Sequence, residues 1–145
     1  MEKETTTEFF KQAFHFWFND HEHIRSPFPK EIQSTLEILS KQGFEKWLSN
    51  LNPKAKDEIN DEIIAEKFEE ILFEIGLSLV TEDEAKTTIL YPFLPRINDT
   101  TFVNGEENRV IKRTINQKGD SKFMEITCLK SSNQTEWSSE IELPV

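Results

Sequence analysis

The spacing of apolar residues changes near residue 85, and this change constrains the fold more than any other feature of the chain. Before it, apolar side chains recur at intervals of three and four residues, the period of an amphipathic helix. After it, they alternate with polar residues or form short runs rich in Thr, Val and Ile, typical of β-strands. We therefore predict an α+β fold in a single domain, 1–145. About four N-terminal helices (about 1–76) are expected to pack on one face of a C-terminal antiparallel meander sheet of about five strands (about 77–145).

The first predicted helix, about 7–20, is unusually rich in aromatic residues. One of its columns at four-residue spacing is Phe10, Phe14 and Phe18, and two further columns add more rings. So wide an aromatic surface exceeds the apolar stripe of an ordinary surface helix. We therefore expect this helix at the centre of the fold or in a subunit interface. The other helices are predicted at about 29–42, 44–51 and 53–75, with Gly43 and Gly76 as residues that end helices.

Extended segments are predicted throughout the C-terminal part. Asn104-Gly105 is a strong signal for a hairpin turn, and a second hairpin is predicted around Lys118-Gly119-Asp120. Alternation places Met124, Ile126 and Cys128 on one face of their strand. The predicted extended segments are 77–80, 87–91, 101–103, 109–116, 122–130 and about 137–143.

The excess negative charge of the chain is confined to residues 1–85. Residues 1–85 contain 19 acidic and 9 basic side chains, whereas residues 86–145 contain 8 of each, for a net charge of −10. Nucleic-acid binding through a generally basic surface is therefore excluded, because phosphate contacts need clustered Lys and Arg. A basic protein partner is the better expectation.

Glutamate recurs at every fourth position from residue 58 to residue 74. On one helix these side chains would repel each other, and each like-charged pair at this spacing costs a few tenths of a kcal/mol. A chain tolerates that cost where the face points into water or meets a basic partner. The column is therefore a solvated face, a cation-binding face or a partner-binding surface, and the functional prediction is a partner-binding surface at Glu58, Glu62, Glu66, Glu70 and Glu74.

The remaining bulk features indicate a soluble, cytoplasmic protein. The N-terminus is charged and does not resemble a secretory signal, and no run of 18 or more apolar residues occurs. Cys128 is the only cysteine, so an intramolecular disulfide is impossible. The chain contains no catalytic motif, and we predict that it is not an enzyme.

The three histidines fall within nine residues, close to two acidic side chains. His21 and His23 would lie on one side of an extended segment, and Asp20 could add a carboxylate. Such donors bind divalent transition metals. The alternative is that these residues surround a helix end, where His is favourable against the helix dipole. A metal site at Asp20, His21 and His23 is therefore a secondary prediction, and no other cofactor is predicted.

Arginines form the best candidate for a positive patch. On a regular strand, Arg109 and Arg113 would share a face, and Arg96 is near in sequence. Guanidinium groups bind phosphate or carboxylate in a bidentate manner, but they can equally neutralise the acidic helix of the same chain. Ligand or anion binding at Arg96, Arg109 and Arg113 is one of these two alternatives.

Three functional hypotheses follow. The first is a small, acidic, non-catalytic binding protein, of inhibitor or immunity type, that engages a basic partner through its acidic helix. The second is a small-molecule or metal-binding protein that uses an aromatic helix–sheet cleft, with His15, His21 or His23 and one arginine as its polar groups. The third is a self-associating structural protein that buries the aromatic first helix between subunits.

Overall fold

The structure, a computed structural model, describes residues 3–22 and 24–144. The chain divides into two compact units, 1–93 and 94–145. Over the described residues the first unit contains five helices and the second a four-stranded antiparallel sheet, which confirms an α+β fold. The helices are α1 Lys3–Trp17, α2 Lys30–Ser49, α3 Pro53–Glu58, α4 Asp61–Leu79 and α5 Asp83–Leu90. The strands are β1 Thr100–Val103, β2 Glu106–Lys118, β3 Ser121–Lys130 and β4 Glu136–Glu142.

The predicted strands at 77–80 and 87–91 are wrong, because both segments belong mainly to helices. The first continues α4 as far as Leu79, and the second lies largely in α5. In α5 the hydroxyls of Thr87 and Thr88 donate to the backbone carbonyls of Asp83 and Glu84, at 2.9 and 3.0 Å. These hydrogen bonds satisfy the hydroxyl groups of the two β-branched residues within the helix. The sheet therefore has four strands rather than about five.

Both glycines predicted to end helices lie inside them, because the glycines allow close packing. Helix α2 continues through Gly43, where an added Cβ would lie 3.1 Å from a methyl carbon of Ile71 in α4. Helix α4 continues through Gly76, where a Cβ would lie 2.6 Å from the ring of Phe28. The predicted helices at 29–42 and 44–51 are therefore a single helix.

The predicted helix at 53–75 is instead interrupted after Glu58. Ile59 is extended, with ψ 145°, and the side chain of Asn60 accepts a hydrogen bond from the backbone N–H of Ile63 at 2.9 Å. Asn60 thus caps a new helix, since Asn is among the preferred N-cap residues. Consequently Glu58 ends α3, whereas the other four glutamates of the predicted surface lie on α4.

Helix α1 supplies the aromatic centre of the helical unit. Phe10 and Phe14 are buried, and the ring centroid of Phe10 lies 5.6 Å from that of Phe44 and 5.5 Å from that of Phe68. Phe44 and Phe68 are themselves almost completely buried, as are Leu36 and Leu72. Aromatic pairs at such distances add stabilisation beyond the area that they bury.

The sheet is the predicted antiparallel meander, with strand order β1-β2-β3-β4. Asn104 and Gly105 both have positive φ, at 53° and 79°, as a type I′ hairpin turn requires. Met124, Ile126 and Cys128 share a buried face of β3, as predicted. The further prediction that the helices cover one face of the sheet stays a prediction.

Candidate interaction surfaces

The predicted glutamates of α4 lie opposite its buried side along the whole helix. The buried column is Ile64, Phe68, Leu72 and Gly76, again at four-residue spacing. Each glutamate precedes one of these residues by two positions, which is a rotation of about 200° at 3.6 residues per turn. The two columns therefore slant around the helix together and remain on opposite sides. All five predicted glutamates, which we call the acidic face (Glu58, Glu62, Glu66, Glu70 and Glu74), are exposed.

Few cations oppose this charge within the surrounding segment. Residues 57–75 contain eight acidic side chains and one lysine, Lys67. Its Nζ lies 3.2 Å from Oε1 of Glu70, and the pair is largely solvent-exposed, so it contributes little stability. Burial, with a further contribution from nearby Glu66, raises the pKa of the neighbouring Glu69. Within residues 57–75 the acidic face therefore has a single neighbouring cation, Lys67.

An apolar side chain lies beside the acidic face. Ile63 of α4 is 41% exposed, although most isoleucines of folded domains are buried. It precedes Glu66 by three residues and Lys67 by four, so it lies next to both on the surface of the helix. Single exposed apolar side chains are common on protein surfaces, so Ile63 alone does not define an interface.

The arginines do not form the shared face that a regular strand predicts. A β-bulge between Val110 and Lys112 adds one residue, so Arg109 and Arg113 lie on opposite faces of β2. Arg113 is buried and its Nη1 donates to the carbonyl of Pro95 at 2.9 Å. Arg109 is exposed and donates to Oδ1 of Asn98 at 3.2 Å. Arg96 is half-buried, and its backbone N–H donates to Oδ2 of Asp99. Anion binding by these arginines stays a prediction, but a joint site of Arg109 and Arg113 on one face is wrong.

The predicted metal ligands have other partners where they are described. Nε2 of His21 lies 2.9 Å from the carbonyl oxygen of Phe16, and the two rings stack. Oδ1 of Asp20 accepts a hydrogen bond from the backbone N–H of Ser26. His23 lies outside the described residues, so the predicted set Asp20, His21 and His23 stays a prediction. Within 3–22 and 24–144, no three His, Cys, Asp or Glu side chains are placed to hold a metal ion.

A groove of about 1010 Å³ runs between α1 and α2. Its floor includes Phe10, Phe14 and Phe18, the aromatic column of the sequence. Polar columns, also at four-residue spacing, form its two walls. One wall consists of Thr7, Lys11 and His15 of α1 and of Asn19, two residues after its end. The other wall, on α2, is Gln33, Glu37, Lys41, Glu45 and Ser49. Leu48 and Lys56 complete the lining.

This groove differs from the aromatic cleft that the sequence predicts between helices and sheet. It lies within the helical unit, and of the predicted polar groups it contains His15 but neither His21 nor an arginine. Each wall is visible in the sequence as a column at four-residue spacing. Their juxtaposition depends on how α1 packs against α2, which the sequence alone does not specify.

A smaller cavity of about 350 Å³ lies on the sheet. There Nε1 of Trp137 donates to Oδ1 of the buried Asn108 at 2.7 Å, and Nδ2 of Asn108 donates to the carbonyl of Glu106. Lys130 forms an ion pair with Glu106 at 3.4 Å. These bonds satisfy the buried amide, so the cluster has a structural role.

Elsewhere on the sheet, burial raises the pKa of Cys128, which disfavours the reactive thiolate.

Comparison of the chain with protein-family models finds no matching family, and comparisons with curated proteins and with solved structures find no significant match. Over the described residues, no helix combines the length and the apolar character needed to cross a membrane.

Proposed function

We propose that this protein is a small non-catalytic binding protein, of inhibitor or immunity type, that engages a basic protein partner through its acidic face. One observation carries the proposal: the glutamates of α4 remain opposite the buried column Ile64, Phe68, Leu72 and Gly76 over four successive turns. The whole column is therefore available to a partner at once. Self-repulsion along it costs about 1 kcal/mol or more in the free protein, and a cationic partner relieves that cost on binding.

Charge of this kind acts mainly on the rate and the specificity of association. A surface of one sign attracts an oppositely charged partner over distances comparable to the Debye length, about 8–10 Å at physiological salt. It therefore increases the association rate and disfavours acidic competitors. Ile63 adds an apolar contact beside the charges, and desolvation of this side chain contributes affinity that salt does not screen.

The proposal is tested by affinity capture from the native host with three versions of the full chain. The first is the wild type, and the second carries Glu62→Gln, Glu66→Gln and Glu70→Gln. The third is a charge-matched control with Glu107→Gln, Glu136→Gln and Glu142→Gln, three exposed glutamates of the sheet. We expect the wild type and the control to retain a basic protein, identified by mass spectrometry, that the α4 variant loses. Equal recovery of that protein with all three versions would contradict the proposal.

A further inference from the structure

The groove between α1 and α2 shares no lining residue with the acidic face. Its floor follows α1 from Phe10 to Phe18, a length of about 12 Å at a rise of 1.5 Å per residue. Consecutive ring centroids on this floor are 6.2 and 5.1 Å apart. Phe10 and Phe14 are 5% and 7% exposed and Phe18 is half-buried, so the rings line the groove with their edges. A groove of this length fits an elongated apolar chain better than a compact ring system.

The charge of the groove is opposite to that of the protein. Its lining contains Lys11, Lys41 and Lys56 but only two carboxylates, Glu37 and Glu45. With His15 neutral, the formal charge is therefore +1 in a chain whose net charge is −10. A single carboxylate on a ligand would neutralise it.

The three lysines that line the groove differ in their interactions with other side chains. Nζ of Lys41 lies 3.1 Å from Oε1 of Glu37, and it also lies 5.9 and 5.6 Å from the ring centroids of Phe10 and Phe14. Lys41 thus already covers part of the floor. Lys11 and Lys56 form no ion pair within the described part of the chain, and they reach the groove from two different helices, α1 and α3. They are the cations available to a ligand.

We infer that the groove binds a single-chain anionic amphiphile, namely a long-chain carboxylate such as a fatty acid. The carboxylate lies near Lys11 and Lys56, and the hydrocarbon chain follows the floor towards Phe18. Contact of the chain with the ring edges contributes affinity with each methylene removed from water, so a longer chain binds more tightly. The two lysines supply the preference for an anion.

The test is a titration of the full chain with dodecanoate below its micellar concentration, followed by calorimetry and by amide chemical shifts. Dodecanol is the uncharged control of the same chain length, and dodecyltrimethylammonium is the cationic control. We expect saturable binding of one dodecanoate, with shifts centred on Phe14 and Lys41. Octanoate should bind more weakly, and the cationic amphiphile should bind more weakly than dodecanoate.

Two double variants separate the groove from general charge. Lys11→Gln with Lys56→Gln removes both available cations of the groove. Lys46→Gln with Lys54→Gln changes the net charge equally at exposed positions of α2 and α3 outside it. We expect the first to weaken dodecanoate binding on the order of tenfold, the effect of two solvent-exposed charge pairs, and the second to leave it unchanged.

Several outcomes would overturn the inference. These are non-saturable binding, equal affinity for the cationic amphiphile, equal weakening by both double variants, or shifts that map outside the groove. Sedimentation is measured in parallel. A reversible dimer whose interface maps to the groove would identify a second copy of the chain as the occupant instead.

Discussion

The two glycines inside helices give a prediction whose size follows from the packing. Gly76→Ala places a Cβ 2.6 Å from Cε1 and 3.0 Å from Cδ1 of Phe28. The Phe28 ring is 3% exposed, and its centroid lies 6.0 Å from that of Phe18 and 5.0 Å from that of Phe73. Because the ring is held on two sides, the cost is at the upper end of the 1–3 kcal/mol typical of overpacking.

Alanine also favours the helix over glycine by about 1 kcal/mol. The net expectation for Gly76→Ala is therefore a loss of about 1–2 kcal/mol in the free energy of unfolding. Gly43→Ala is the matched control, because its Cβ would lie 3.1 Å from Cγ2 of Ile71 and 3.5 Å from Cδ1 of Ile75. These contacts are looser and involve single methyl groups, so the helical gain offsets the cost and the net change stays within about 1 kcal/mol of zero.

Urea unfolding followed by circular dichroism measures both variants. The comparison is valid if the dependence on urea, the m-value, is unchanged. A Gly76→Ala protein at least as stable as Gly43→Ala would refute the close approach of α4 to Phe28.

Three further predictions concern single side chains. Asn60→Ala removes the cap of α4 and should lower the free energy of unfolding by about 1 kcal/mol in the same assay; no change would show that the cap contributes nothing. Trp137→Phe leaves Oδ1 of buried Asn108 without its donor and should destabilise the sheet by about 1–3 kcal/mol, measured by hydrogen exchange of β3 amides; unchanged protection would contradict it. The raised pKa of Glu69 means that the folded state binds the proton of this carboxyl more tightly than the unfolded state does. Ionised Glu69 therefore destabilises the fold at pH values above its pKa in the folded state. This destabilisation disappears as the pH falls through that pKa. Glu69→Gln should therefore stabilise the protein at pH 7, with an advantage that shrinks towards pH 4; a constant advantage would contradict the shift.

Local signals in the sequence correctly predicted the elements whose conformation depends on residues adjacent in the chain. Asn104-Gly105 specifies its turn because both positions need positive φ, and the alternation of Met124, Ile126 and Cys128 specifies a buried face of β3. The exposure of the glutamate column also followed from helical spacing.

Predictions from the sequence were wrong where contacts between residues far apart in the chain determine the structure. Gly43 and Gly76 are typical of helix ends, but Ile71 and Phe28 occupy the space that a side chain would need. The run around Thr87 has strand-like composition, yet hydroxyl bonds to the preceding turn support it as a helix. The bulge after Val110, which separates Arg109 from Arg113, and the pairing of α1 with α2 across the groove have no local signal that we can identify.

Attraction of a basic partner by the acidic face determines the rate at which the two proteins associate. Stopped-flow mixing of the purified partner with the wild type, the α4 triple variant and the sheet triple variant is repeated at low and physiological salt. We expect the wild type and the sheet variant to associate at low salt on the order of tenfold faster than the α4 variant. Their rates should also fall steeply with salt, while that of the α4 variant stays nearly constant. Equal rates and equal salt dependence for the two triple variants would contradict the claim.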